Sequence, residues 1–374
     1  NENTEERRWI DQVIEKTIAH IQQGGQFDIS LQVTITNEWE GMALTNIGYT
    51  AGIETTQVAH QWIEKGNEMD KIIVVSNHAK NTYENTEYAG QDNAGNKRHL
   101  RLGTPTHVVN YPAKTYENLP NLDLELENDF NFLTVAQFGP RKNLPNTVKW
   151  FVEEFHDEEV GLIIKSNIAR NCIMDREKLH SDLKGFLSEF SDKKCKVYLL
   201  HGDMTDEEMH ALYIHPQVKA LVALPHGEGF GLPIFEAAYS GLPIIATAWS
   251  GQLDFLVDKK GKEQFYGVTY DLRAVQDNVV WENVLIKESM WAYPREQSAK
   301  EHMRSCYNDI LADSKNLGTH RAKKLAAYIH DEFAAEKRYK EFCSAIVDEE
   351  AMEIEDWLTT LSEEIKEDEI VEYE

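Results

Sequence analysis

ALVALPHGEGFGLPIFEAAYSGLPIIAT, residues 220–247, is the stretch that decides the fold. An apolar run ends at Pro225, three glycines (Gly227, Gly229, Gly231) fall within five residues, and Pro233 opens an apolar stretch ending at Gly241. A second apolar run, PIIAT, follows at 243–247. Short unbroken apolar runs read as strands buried on both faces, and proline suits the first turn of a helix. The stretch is therefore strand, glycine-rich turn, helix, strand, which is a parallel βαβ unit. Glycine permits a tight turn and close ligand approach. The N–H groups of Phe230, Gly231 and Leu232, lying at the helix N-terminus, would form an anion site that fits a diphosphate.

The same alternation continues on both sides. FLTVAQF (132–138), VGLIIK (160–165), KVYLL (196–200) and YGVTY (266–270) read as further strands. Helices are expected from about Asn146, over 176–190, after Thr205 with Glu208 three residues on, and from Pro233. Six strands with crossover helices make a doubly wound parallel sheet. Upstream, Trp9, Ile10, Val13, Ile14, Thr17 and Ile21 recur at helical spacing before Gly24-Gly25. A strand at 29–35, a helix over 54–64, a strand at 71–76, a helix after Asn77 and a short strand at 107–109 complete the first half. Residues 118–129 are polar and acidic, without a period, and mark a boundary. The expected organisation is 1–125, 126–315, and a helical and acidic end at 316–374, with one long helical run over 320–345.

In open α/β sheets ligands bind beyond the carboxyl ends of the strands, so the turns there hold the candidates. Glu228 and Glu236 follow the strand at 220–224, Arg141 and Lys142 lie in GPRKN (139–143), and Lys165 begins KSN (165–167). Carboxylates accept hydrogen bonds from sugar hydroxyls, and cations at strand ends neutralise a departing diphosphate. His226 either polarises a ligand or bonds a loop carbonyl; Trp249-Ser250-Gly251 either holds phosphate or caps a helix. Tyr49, Glu54 and His60 fit core or surface roles better than ligand contact. Asp123 and Glu125 fit an acidic linker better than a metal site.

PHGEGFGLPIFEAAYSGLPIIAT resembles the signature of GT-B glycosyltransferases of the family 4 type, with Glu228 and Glu236 as its E-x7-E pair. GPRKN and LIIKSN (162–167) match the other two donor-site stretches in order and spacing, and the similarity spans 132–248 well and 46–112 loosely. The resemblance implies an α/β GT-B fold, in which two Rossmann-like doubly wound domains face a cleft. The N-terminal domain is expected to be reduced or truncated and the C-terminal part helical. It implies that Arg141, Lys142 and Lys165 contact the donor diphosphate together with the amides of Phe230, Gly231 and Leu232. Glu236 would hold the ribose and Glu228 the transferred sugar. Glu228, Arg141 and Lys165 form the expected catalytic set. The implied chemistry is hexosyl transfer from a nucleotide-diphosphate sugar, UDP favoured, with retention of anomeric configuration and neither cofactor nor metal. The departing phosphate takes the acceptor proton.

The 374 residues carry 38 basic and 64 acidic side chains, a net charge of −26, which disfavours DNA, RNA and anionic membrane as partners. Thirteen acids and one base lie in 348–374, making the end of the sequence a local acidic feature. No apolar run nears the roughly 18 residues of a spanning helix, and there is no signal layout, so a cytoplasmic location is expected. Cys172, Cys195, Cys306 and Cys343 are scattered and read as reduced thiols. Glycan, lipid-linked glycan, protein, small molecule and, less favoured by charge, a modified nucleic-acid base remain as acceptors, and the sequence leaves the oligomeric state open. The alternatives to transfer are a sugar-nucleotide epimerase or another GT-B enzyme, and a non-catalytic nucleotide-sugar-binding protein. A phosphorylase would need a pyridoxal-lysine segment that is not evident.

Overall fold

The structure is a computed structural model that describes residues 4–91, 97–312 and 317–347. The first unit contains β1 (Phe27–Val33), β2 (Ala43–Thr50), β3 (Lys71–Val74), β4 (Glu87–Gln91), β5 (Lys97–Arg101) and β6 (Thr106–Val108). β1, β2, β3 and β6 form a parallel sheet in that order, and β4 and β5 pair as an antiparallel hairpin. Along β3 the side chains alternate between two cores. Ile72 and Val74 join Trp39, Trp62 and Tyr83 on one face, while Ile73 joins Ile47 and Val109 on the other. The second face is closed from far along the chain: Phe342, Ala345 and Ile346 of the helix Ala335–Ile346 pack on it.

β7 (Asn131–Val135), β8 (Gly161–Lys165), β9 (Lys196–Leu200), β10 (Val218–Ala223), β11 (Ile244–Thr247) and β12 (Tyr266–Val268) form the second sheet. Its order is β12-β11-β10-β7-β8-β9, parallel throughout. Adjacent residues again serve opposite cores: Phe132, Leu162 and Val222 face the helices Leu144–Phe155 and Glu296–Leu311, whereas Leu133, Ile163 and Leu221 face Leu232–Tyr239 and Leu317–Glu332. β13 (Tyr270–Ala274) and β14 (Met290–Pro294) pair antiparallel, and the segment between them reaches the first unit, where Val284 is buried with Trp39 and Trp62.

Several expectations are corrected. β2 and the β4–β5 hairpin were not anticipated, so the first unit has more strand than its apolar runs suggested. YGVTY divides between β12, in the parallel sheet, and β13, in the hairpin. The helix expected over 54–64 is His60–Gly66, because residues 51–59 are used as a loop. The run at 320–345 breaks at Ala334, whose backbone is extended, into two helices that serve different sheets. The helix Glu5–Gln22 forms as its spacing predicts, capped by Thr4, yet buries no side chain, and Trp9 is 65% exposed. The acidic feature at 348–374 lies outside the described residues. Among the described residues no helix is long and apolar enough to cross a membrane.

Candidate functional site

The second sheet changes direction between β7 and β10. The helix after β7, Leu144–Phe155, lies on one face and the helix after β10, Leu232–Tyr239, on the other, which opens a crevice at the carboxyl ends of these two strands. The Arg141 loop and the glycine turn meet there. Asn143, at φ 54°, turns the first loop and donates from Nδ2 to the Leu224 carbonyl at 3.1 Å. The His226 amide donates back to the Arg141 carbonyl at 2.8 Å. Thus anchored, Arg141 donates from Nη1 to the Gly227 carbonyl at 2.8 Å and to Glu228 Oε2 at 2.9 Å, and Lys142 Nζ reaches Glu228 Oε1 at 2.6 Å.

A fourth charge comes from the first unit. Glu54 Oε1 lies 3.3 Å from Arg141 Nη2. Burial raises the Glu54 pKa above the ordinary carboxylate value against the pull of Arg141, and Glu228 pushes it the same way. Burial tends to lower the Arg141 pKa, but Glu228 and Glu54 more than offset it. Glu54 was read as core or surface. Its part in the site was not legible because it depends on how a loop of one unit meets a turn of the other, and the strand that precedes it, β2, carries no apolar run to mark its end.

That meeting needs bare glycines. A Cβ on Gly229 would lie 2.6 Å from the Ala51 carbonyl oxygen, and one on Gly227 would collide with the Glu54 carbonyl. Ser76 Oγ donates to the Gly229 carbonyl at 2.5 Å, and Asp254 accepts from the Asn77 amide at 2.9 Å and Asn110 Nδ2 at 3.0 Å. On the far side the Thr56 amide donates to the Met290 carbonyl at 2.9 Å. The Trp249-Ser250-Gly251 turn neither caps a helix nor stands free: Ser250 Oγ accepts from the Glu228 amide at 2.9 Å, and the Gly251 amide donates to the Glu228 carbonyl at 3.0 Å. It braces the glycine turn.

Phe230, Gly231 and Leu232 stand at the start of the helix Leu232–Tyr239, and their amides donate to no acceptor among the described residues. Phe230 also anchors the turn, its ring packing on Tyr111, Phe235 and Phe255. Glu236 does not join the cluster around Glu228. It accepts from Tyr213 Oη at 3.0 Å, and burial raises its pKa against that hydrogen bond. Lys165 also stands apart, its ammonium donating to the Gly202 carbonyl and its pKa lowered by burial. The site residues thus fall into one tight group (Arg141, Lys142, Glu228, with Glu54) and two outlying groups, Lys165 at the end of β8 and Glu236 within the helix Leu232–Tyr239.

The loop beyond Lys165 is held by Asp175, which accepts from the amides of Ile168, Ala169 and Arg170 at 2.9, 2.7 and 2.9 Å and lies 2.9 Å from His201 Nε2. These hydrogen bonds outweigh burial and pull the carboxyl well below the usual range. A depressed folded-state pKa contributes stability that is full above the unfolded value, about 3.9, and is lost as pH falls. The stability advantage of the parent over Asp175→Asn should therefore be full at pH 7 and shrink in urea melts below about pH 4. A constant difference across that range would exclude the ionised carboxylate as its source.

His226 takes the structural option. Its ring stacks on Trp291 at 4.9 Å, Nδ1 donates to the Ala292 carbonyl at 2.6 Å, and burial lowers its pKa against that hydrogen bond. Tyr49 packs edge-on against Phe342, and His60 lies against Tyr88. Asp123 accepts from the Glu125 amide at 3.4 Å, and among the described residues no group of three or more metal-type side chains assembles. Cys195 and Cys306 are buried, Cys172 and Cys343 exposed, and all four are free thiols.

Residues 122–277 match the family Glycosyl transferases group 1. A stretch of 165 residues, 40% of this chain, is 27% identical to "Probable sucrose-phosphate synthase 4" of Oryza sativa subsp. japonica, and the match spans 15% of that protein's length. Among solved structures, sucrose-phosphate synthase from Thermosynechococcus elongatus superposes with a TM-score of 0.57 at 13% identity, over 88% of this chain and 74% of that one. A glycosyltransferase from Rickettsia africae does so with 0.56 at 13%, over 93% and 84%. An E. coli structure described as trehalose-6-phosphate bound with UDP-2-fluoro glucose gives 0.57 at 10%, over 87% and 74%. The likenesses to solved structures establish the architecture, and the crevice with its two cations and glycine turn falls within the matched stretch. Residues 122–277 thus carry the match to Glycosyl transferases group 1, within a chain that has the GT-B fold.

Proposed function

We propose that this protein transfers a sugar from a nucleotide-diphosphate sugar, with UDP as the nucleotide, to a hydroxyl acceptor with retention of configuration. The carrying observation is the convergence of Arg141 and Lys142 on Glu228 in the crevice between β7 and β10. Both cations are engaged by a carboxylate that a diphosphate would replace. Drawing them onto the phosphates would free Glu228 to accept hydrogen bonds from the sugar, so donor binding and sugar recognition are coupled through one exchange of partners. The unpaired amides of Phe230, Gly231 and Leu232 add dipoles for the phosphates, and Glu236 receives the ribose. The UDP-sugar in the E. coli structure supports the choice of nucleotide.

In the reaction the bond from the acceptor oxygen to the anomeric carbon forms as the bond from that carbon to the phosphate oxygen breaks. The electron pair leaves with the diphosphate, and the acceptor proton passes to the departing phosphate oxygen. Arg141 and Lys142, with Lys165 at the next strand end, stabilise the charge on that leaving group, so no metal is required. The first unit supplies the acceptor side, and the protein works in the cytoplasm.

The test is donor binding and donor hydrolysis in buffer containing EDTA. UDP should raise the melting temperature, because a ligand of the folded state stabilises it, and hydrolysis of UDP-sugar should persist in EDTA. Glu236→Ala should weaken UDP binding by roughly 1.5–3 kcal/mol, the contribution of a hydrogen bond to a charged group. Absence of a UDP shift, activity restored only by Mg²⁺, or equal UDP affinity in the variant would each defeat the corresponding part.

A further inference from the structure

A cavity of about 390 Å³ opens beside the ion cluster, between the loop after β2, the loop after β7 and the connection from β13 to β14. Glu54, Arg141 and Lys142 of the cluster line it, and Ile53, Phe138, Trp281 and Trp291 are among its apolar wall. A separate small cavity, lined by Lys142, Glu228 and Pro233, lies on the glycine-turn side. The cluster of Arg141, Lys142 and Glu228 therefore stands between the anion-binding turn and the larger cavity. A molecule in that cavity meets the reaction centre at Glu54.

Two observations say what the cavity suits. Its lining is mostly apolar, with Glu54, Arg141 and Lys142 of the cluster and Thr55 and Gln137 as its polar members, and Trp281, on that lining, exposes 62% of its surface. A free sugar would turn several hydroxyls toward Ile53, Phe138 and Trp281, where no partner waits, and buried hydroxyls without partners oppose binding. An aromatic ring there would bury apolar area and stack on an indole.

Resting on the transferase reading above, we propose that this cavity is the acceptor subsite and takes a small hydroxyl compound with an aromatic body, of the aryl-glycoside class. The acceptor hydroxyl lies at Glu54 and the ring lies against Trp281.

The experiment is calorimetric titration of the full chain with phenyl glucoside and with glucose, and separately with UDP. Phenyl glucoside is expected to bind at least about tenfold more tightly than glucose, a difference of about 1.4 kcal/mol. Trp281→Ala should abolish that preference and Trp281→Phe should retain most of it; the side chain is largely exposed, so both variants should fold. Equal affinities, no binding of phenyl glucoside, or a preference that survives in Trp281→Ala overturns the proposal. A protein that takes UDP but not phenyl glucoside loses only the acceptor assignment. One that does not take UDP loses the transferase reading and the acceptor role with it.

Discussion

Arg141→Ala is expected to lower turnover of the nucleotide-sugar donor by about 10²–10³-fold, the loss that follows removal of one group stabilising transition-state charge in a closed site. The cost to folding should exceed that of an ordinary surface cation, because Arg141 is wedged between Glu54 and Glu228. Its loss leaves Glu54 without a counter-charge, and an uncompensated carboxylate in a buried setting is strongly destabilising. The two effects separate in a double variant. Glu54→Gln added to Arg141→Ala removes the stranded charge and should recover melting temperature, but turnover should remain low because the leaving group still lacks its cation. Recovery of turnover along with stability would make Arg141 a structural strut. Lys165→Ala should cost less, since its ammonium is held by the Gly202 carbonyl and must leave that partner to reach a phosphate.

The second large effect is expected from one added methyl group. In Gly229→Ala the new Cβ, fixed by its bond to Cα, would sit 2.6 Å from the Ala51 carbonyl oxygen, a backbone atom, so neither can yield by a side-chain rotation. The loop of the first unit must move away from the glycine turn, breaking the Ser76 hydrogen bond to Gly229 and pulling Glu54 from Arg141. Overpacking of this kind costs about 1–3 kcal/mol, a fall of several degrees in melting temperature for a chain of this size. Transfer should fall by more than stability predicts, because the acceptor side is displaced, while UDP binding survives in part through Arg141 and Lys142. Gly185→Ala is the control. It lies in the helix Ile173–Leu187 with nothing within 4 Å of its Cβ position, so alanine should be neutral or stabilising. A Gly229→Ala protein with parental melting temperature and transfer would show that the contact between the units is dispensable.

The second sheet was legible because its strands are buried on both faces and advertise themselves as continuous apolar runs. KVYLL, although only half-buried at the edge of the sheet, kept enough of the apolar run to become β9 with the bounds that its composition suggested. The first unit was harder for a physical reason. In β2 the early residues Leu44 and Asn46 differ sharply in exposure, so no apolar run marks the strand. The hairpin strands EYAGQ and KRHLR offer the paired Tyr88 and Leu100 to the core, too few apolar residues to form a run that composition could mark. Among candidate site residues, Arg141, Lys142 and Glu228, which the structure brings together, were singled out because each adjoins a recognisable strand end. Glu54, Ser76 and Ser250 were not assigned their roles, since each acts through a backbone carbonyl, a backbone amide or a charge brought to it from another part of the chain.

The return of the helix Ala335–Ile346 to the first sheet bears on how the chain is made. Ile47, Ile73 and Val109 leave the ribosome long before Phe342, Ala345 and Ile346, which shelter them. Until the last of these emerges, one face of a parallel sheet stays open to water and to other nascent chains, and contacts so distant in sequence form slowly. The second unit, whose six strands and the helices from Leu144 to Glu332 are complete before that point, can collapse first. It then presents the closing helix to a partly formed sheet. Release of a chain ending near Ala334 would leave that sheet bare, making the interval of synthesis between Val109 and Ile346 the stretch in which chaperones matter most.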